Sequence, residues 1–441
     1  MEFDERKQKI KYLKKLTVLF ASFTLITRFG DIAHLKLMGV YIVIVSLLLM
    51  MELRKNVLTF MVGVFIAWFN YSIVFANYFS GKDDFFLTDA YNEVSITGLR
   101  VLCCFITCVY LIVDADKGRV DEDAKLEFRS EEVVSSVIAV AYLLALCFIL
   151  LFGFAAPSAA GERGSISAIY EYSILLFIIG YYLFWRYKWY MIISSVLMML
   201  FVLQNVIYGE RATALQELII FYVLFINKKQ APDFRKLLPL GICGVLIFTA
   251  IGMERANFSL SSEQLSRTAK SLRQSGMTLD TAYSAYFCSL TFIKTEVIIP
   301  QAERIKVFFN WFLSMFIGTG MVGECNVPVI TRKYFMHYYG GVLPFYGHFH
   351  FGYIGTIAFS VIPAVYLNII GKFNQAKGAF KCVLLYFVVT APRWYLYSPS
   401  PLIRGALLMF VLYFVTLFAD KILQKKDGED TGKTVEQNAN A

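Results

Sequence analysis

Four arginines, Arg211, Arg255, Arg393 and Arg404, stand where an apolar run gives way to a short polar joint. A guanidinium is planar, permanently charged and offers its donors as a fork, which suits the oxygens of a phosphate or pyrophosphate. Arg211 closes the turn Tyr208-Gly209-Glu210-Arg211 between two apolar runs, and two readings of it stand side by side. Either Glu210 and Arg211 pair to cap a helix and hold the turn, or the short joint fixes the guanidinium at headgroup depth for the phosphates of a lipid carrier. Arg255 leaves another run beside Glu254, and Arg393 and Arg404 flank the proline-broken turn in APRWYLYSPSPLIRG. A helix start at Pro401 with an arginine nearby is suited to an anion. Three of the four histidines, His337, His348 and His350, lie at or near the run Gly347-His348-Phe349-His350-Phe351-Gly352-Tyr353-Ile354-Gly355. Such a histidine either packs at the interface or shuttles a proton and orients a hydroxyl. The i, i+2 spacing and the lack of a carboxylate cluster do not suit a metal, so neither a metal nor another cofactor is expected.

Apolar helices must position these residues. Of the 441 residues 58% are hydrophobic, 17% aromatic and 17% charged, and the mean hydropathy is +0.58. A water-soluble chain of this length needs more polar surface, so the sequence reads as an integral membrane protein. The runs are continuously apolar rather than alternating, which favours helices over a β-barrel. The expected fold is all-α and polytopic, with about twelve transmembrane helices and one large periplasmic loop. Spans are predicted near 16–29, 36–53, 57–79, 94–114, 133–155, 169–186, 189–209, 212–227, 238–253, 349–371, 380–396 and 403–420. The chain then divides into helices one to nine over 1–253, the loop over 254–347, helices ten to twelve over 348–423 and a disordered tail over 424–441.

Charge sets the expected orientation. Arg6, Lys7, Lys9, Lys11, Lys14 and Lys15 crowd the N-terminus and predict a cytoplasmic start, with the first apolar run a retained helix rather than a cleaved signal. The formal net charge of +9 lies mostly in joints beside spans, where orientation bias accounts for it; no nucleic-acid partner is expected. An even count puts both termini in the cytoplasm. The segment from Val307 is apolar enough to threaten that count, but a thirteenth span would turn Lys372, Lys377 and Lys381 outward, so an interfacial or re-entrant helix is preferred.

Between Glu254 and Gly347 the loop is mildly basic, on the side where positive charge is scarce. SSEQLSRTAKSLRQS reads as a helix opening on a serine N-cap, with a basic face that is solvated or rests on anionic lipid. Most of the eight cysteines fall inside apolar runs and read as small buried residues. Cys288 and Cys325 share the loop, and a pairing between them stays open. Asp83-Asp84 reads as solvated loop.

The single late loop, the twelve runs, the Gly209-Glu210-Arg211 joint and the Phe351-Gly352-Tyr353-Ile354-Gly355 entry resemble the O-antigen polymerase (Wzy) family of bacterial oligosaccharide repeat-unit polymerases. The resemblance covers the topology of the whole chain, but its motifs cover only a small part of it. It implies a metal-independent glycosyltransferase in the bacterial inner membrane, with a periplasmic active site, that serves lipopolysaccharide O-antigen synthesis. The donor would be a glycan on undecaprenyl pyrophosphate, and a hydroxyl of the next lipid-linked repeat unit would attack its anomeric carbon. Arg211 with Arg255, Arg393 and Arg404 would hold the pyrophosphate, and His350, His348 or Glu210 would act on the acceptor hydroxyl. Membrane lipid, a chain-length regulator and a flippase of the same pathway are the implied partners. Three rivals remain: an O-antigen ligase or another lipid-linked-sugar glycosyltransferase, a lipid-linked oligosaccharide flippase, and a scaffold without activity. A transporter predicts charges in mid-span and broken helices.

Overall fold

The structure, a computed structural model, describes residues 2–28, 32–79, 92–114, 124–155, 165–227, 229–254, 261–337 and 340–439. Arg255 and Asp83-Asp84 lie outside the described residues. The chain is 81% helical. Its helices run α1 (Glu2–Thr27), α2 (Ile32–Leu53), α3 (Val57–Phe79), α4 (Asn92–Ile112), α5 (Ser136–Phe152), α6 (Ala168–Leu183), α7 (Lys188–Ile207), α8 (Arg211–Phe221) and α9 (Phe234–Glu254). Then come α10 (Ser262–Gln274), α11 (Asp280–Thr295), α12 (Gln301–Ile317), α13 (Val327–Arg332), α14 (Leu343–Ile370), α15 (Gly378–Val389), α16 (Ala391–Leu396) and α17 (Ala406–Ala439). One two-residue antiparallel pair, β1 (Phe154–Ala155) with β2 (Ser165–Ile166), closes the joint between α5 and α6.

Among the described residues, six helices are long and apolar enough to cross a membrane: those at His34–Leu53, Val57–Ala76, Val94–Ile112, Lys188–Ile207, Leu343–Ile370 and Pro401–Lys425. Ser136–Phe152, Ala168–Leu183 and Gly378–Val389 are shorter apolar helices. Their packing is that of a protein solvated by lipid. Leu144, Phe148 and Leu151 on α5, Ile192, Val196 and Leu203 on α7, and Val411, Phe414 and Phe418 on α17 are all exposed at helical spacing. In water such stripes would have to be buried; against hydrocarbon tails they cost nothing. Inside this rim α15 is buried on every side from Cys382 to Val389, and α14 packs along α4 while α2 packs along α3.

The polar joints gather at two ends. At one, Val57 N–H donates to the Gln230 carbonyl (2.6 Å) and Gln230 N–H to the Ala124 carbonyl (2.9 Å). There too the Asn374 side chain donates to the Lys125 carbonyl (2.9 Å), and Lys377 meets Glu131 (2.9 Å). At the other, the turn before α11 lies against the side of α3: Trp68 and Tyr71 donate to the carbonyls of Met277 (2.9 Å) and Gly276 (2.7 Å), and Ser72 accepts from Leu279 N–H (2.9 Å). Bonds between joints distant in sequence satisfy backbone groups that helix ends leave open.

The segment 261–337 folds into four α-helices and one short 3₁₀ turn, Thr319–Met321. Ser261 caps α10, its hydroxyl accepting from Gln264 N–H (3.2 Å), as the serine at the head of SSEQLSRTAKSLRQS predicts. The helix from Val307 begins earlier, at Gln301, and ends at Ile317; Phe309, Phe312, Leu313 and Phe316 form an exposed apolar face on it. Cys288 and Cys325 are both buried free thiols.

Two bounds differ from expectation. The tail from 424, expected to be disordered, continues α17 to Ala439. The apolar turns before it have already met the cost of nucleation, and each added residue then needs only propagation. The run predicted to start near 349 begins at Leu343 and is broken at Gly352, whose φ of 61° and ψ of −146° no helix accommodates. The two pieces fold back so closely that a Cβ on Gly347 would lie 2.3 Å from the Gly355 carbonyl oxygen. Glycine alone permits both the reversal and the contact.

Candidate functional site

Gly209 ends α7 in the left-handed region, at φ 80°, and turns the chain sharply into α8. Glu210 N–H donates to the Asn205 carbonyl (2.8 Å), so the joint is a closed turn rather than a loose linker. It sets Glu210 and Arg211 into the wall of a cavity of about 400 Å³. The opposite wall comes from sequence nearly two hundred residues away: Arg393 on α16, Tyr397 and Ser398 beyond it, and Arg404 in a π-helical turn over Pro401–Gly405. Glu171 and Tyr172 of α6, Gln216 of α8, Tyr386 of α15 and Thr390 just after it also line the cavity.

The three arginines are held differently. Arg393 pairs with Glu171 (2.7 Å) and donates to the Thr213 hydroxyl (3.5 Å), with a side chain 18% exposed. Arg211 turns toward the loop segment, where Asp280 lies 3.5 Å away and the Thr281 hydroxyl accepts at 3.3 Å. Asp280 is 71% exposed, so water screens that pair. Arg404 lies over the Tyr172 ring at 5.9 Å, and among the described residues no carboxylate pairs with it. The cavity lining therefore holds three guanidiniums against two carboxylates, Glu171 and Glu210, with Arg393 neutralised by Glu171, Arg211 in a water-screened pair with Asp280, and Arg404 paired with no carboxylate among the described residues. A multivalent anion fits such a lining.

Of the residues singled out in the sequence, the cavity lining brings together Arg211, Arg393, Arg404 and Glu210, and includes neither His348 nor His350. The histidines belong to a separate cluster. His348 Nδ1 lies 2.7 Å from Glu296 Oε1, and Arg304 pairs with the other Glu296 oxygen (3.2 Å). His350 Nδ1 lies 2.8 Å from the Arg304 carbonyl, while Arg304 donates to the Phe349 carbonyl (2.7 Å). Both rings are almost fully buried. This cluster fastens α11 and α12 to the broken helix α14. It reaches the cavity only through its neighbours: Tyr346 donates to the Tyr397 carbonyl (2.5 Å), and Trp311 of α12 donates to Ser400 (3.1 Å). His337 is buried elsewhere, 2.9 Å from the Thr331 hydroxyl.

Glu171, Gln216 and Tyr172 were not singled out in the sequence. Glu171 had a signal, being an ionisable residue in the first turn of an apolar run. Glu217 had a stronger one. It is fully buried inside α8, where one carboxylate oxygen accepts from the Asn205 side chain (3.3 Å) and the other finds no partner among the described residues.

Fold and site together define a class: an α-helical protein with long apolar helices and, at one end of them, a cavity lined by arginines and glutamates. Comparison with known protein families, with curated proteins and with solved structures finds no match to this chain.

Proposed function

We propose that the protein is an O-antigen polymerase of the bacterial inner membrane. It would transfer a growing glycan from undecaprenyl pyrophosphate to a hydroxyl of the next lipid-linked repeat unit on the periplasmic face. The observation that carries this reading is the convergence of Arg211, Arg393, Arg404 and Glu210 in one cavity from two distant stretches of sequence. In the transfer, the acceptor oxygen bonds to the anomeric carbon and the bond from that carbon to phosphate breaks. The electron pair leaves on the diphosphate. Charge grows there as the bond breaks, so a fixed guanidinium stabilises the transition state more than the ground state. The hydroxyl proton passes to a base. Glu210, which lines the cavity as His350 and His348 do not, is the candidate favoured over them.

This reading takes the chain to cross the membrane about twelve times with both termini in the cytoplasm. Support comes from the two polar ends: the joints read as cytoplasmic bond to one another at one end, while Arg211 meets Asp280 of the loop at the other. Reporter fusions after Asn227 and within 260–300 are then expected to report opposite faces. Signals from the same face would remove the twelve-span arrangement.

Transport of a lipid-linked oligosaccharide is a second reading that two observations favour: Glu217 buried in mid-helix and the break at Gly352. Surface lipopolysaccharide from a deletion strain separates the two. A ladder reduced to a single rung is the result expected of a polymerase. Loss of all glycan from lipid A instead indicates a flippase or a ligase, and an unchanged ladder removes every one of these readings.

A further inference from the structure

Gln216 lines the arginine cavity, is 2% exposed, and its carboxamide nitrogen has no hydrogen-bond partner among the described residues. A buried donor left unmade carries a desolvation cost, so such a group in a cavity wall points to something that fills the cavity. The carboxamide turns readily about its last torsion, so its NH₂ can be brought to face whatever enters.

Position on the helix says which part of a ligand it meets. Gln216 follows Arg211 by five residues, which at a rise of 1.5 Å per residue sets it roughly 7.5 Å further along α8. It also follows Thr213 by one turn, and Thr213 accepts from Arg393. The inner part of the cavity wall therefore holds Arg393, already paired with Glu171, and a neutral donor from Gln216 that has no partner among the described residues. A buried donor left open in the wall suits a ligand rich in acceptor oxygens. In a lipid-linked sugar the tail lies in the bilayer and the glycan points outward, so the phosphates are its innermost polar groups.

Resting on the reading of this cavity as a site for a lipid-linked donor, we propose that Gln216 binds the phosphate nearest the lipid tail in a prenyl diphosphate. It adds a hydrogen bond that does not depend on charge, while Arg211 and Arg404 take the outer phosphate through theirs.

Binding of farnesyl diphosphate and farnesyl monophosphate to the purified full chain in detergent micelles tests this. Gln216→Met, which keeps the volume and loses the donor, is expected to weaken both ligands about tenfold at low and high salt alike. Arg404→Ala is expected to weaken chiefly the diphosphate, and less so as salt rises. If Gln216→Met binds like the parent while Arg404→Ala is weakened, the role of Gln216 is overturned and the cavity reading stands. If the parent binds neither ligand, or Arg404→Ala binds the diphosphate as well as the parent, the cavity reading falls and takes this proposal with it. Should the methionine variant not fold, Gln216→Glu carries the same test: a nearly isosteric carboxylate has to repel the phosphate, and unchanged affinity in that variant refutes the contact.

Discussion

Under the proposed polymerase reading, Arg404→Ala is expected to give a protein that folds and inserts as the parent does but extends glycans about a hundredfold more slowly, leaving a single repeat unit on lipid A. The expectation rests on what the side chain touches. Arg404 lies over the Tyr172 ring and, among the described residues, no carboxylate pairs with it, so its removal strands no buried acid. Truncating one electrostatic stabiliser of a developing anion costs on the order of 10²–10³ in rate. Arg211→Ala is expected to act in the same direction, since the partner it leaves, Asp280, is already in water. Arg393→Ala differs in kind. It leaves Glu171 without the guanidinium 2.7 Å away, in a partly buried setting, so stability falls together with activity. The measurements are a lipopolysaccharide gel from complemented deletion strains, beside the amount of each variant recovered in the membrane. Full-length polymer from Arg404→Ala at normal abundance would remove the diphosphate role from this cavity.

The sequence marks Arg211, Arg393 and Arg404, which share one cavity, but does not show that His348 and His350 lie outside its lining, and the difference has a physical reason. An arginine where an apolar run gives way to a short polar joint is anomalous by position alone, as Arg211, Arg393 and Arg404 are. A histidine near a helix start carries no such anomaly. Its role depends on what faces each ring nitrogen, and for His348 and His350 those partners, Glu296 and the Arg304 carbonyl, lie over forty residues away. Glu296 and Arg304 passed for ordinary loop charges because a linear reading cannot pair them. Together they tie the loop helices to α14.

The helices themselves were legible for the reason that lipid imposes them. Backbone groups in hydrocarbon have to be satisfied within the segment, and side chains facing it have to be apolar, so a run of sufficient length reads as a helix. The predicted runs are largely helical, although 380–396 is divided between α15 and α16 and, among the described residues, six helices are long and apolar enough to cross a membrane. What hydropathy cannot register is a change of direction within an apolar run. Leu343–Ile370 is continuously apolar across Gly352, so the break was invisible to it. Glu217 was missed through the opposite fault. A single acid diluted in an apolar window barely lowers the mean, although burying it is among the most costly placements in the chain.

Gly355→Ala is expected to destabilise the protein by on the order of 3 kcal/mol, well beyond its size as a one-methyl change. The added Cβ would fall 2.0 Å from the Gly347 carbonyl oxygen and 2.6 Å from its carbon. Those are backbone atoms with no rotamer to escape into, so the two pieces of α14 have to part. His348 and Tyr346 flank Gly347, and parting therefore strains the contacts to Glu296 and to the Tyr397 carbonyl on the cavity wall. Gly352→Ala separates the two effects. Nothing lies within 4 Å of a Cβ there, so its cost is backbone strain alone, about 1–3 kcal/mol for that region of φ and ψ. Gly244→Ala in α9 supplies the contrast, since a Cβ at that position likewise meets nothing within 4 Å and a helical alanine is favoured over glycine. Thermal unfolding of the purified chain in detergent is expected to rank Gly244→Ala at or above the parent, Gly352→Ala below it and Gly355→Ala lowest. If Gly355→Ala unfolds together with Gly244→Ala, the close contact across the break does not exist. The route from the histidine cluster to the cavity wall would then fail as well.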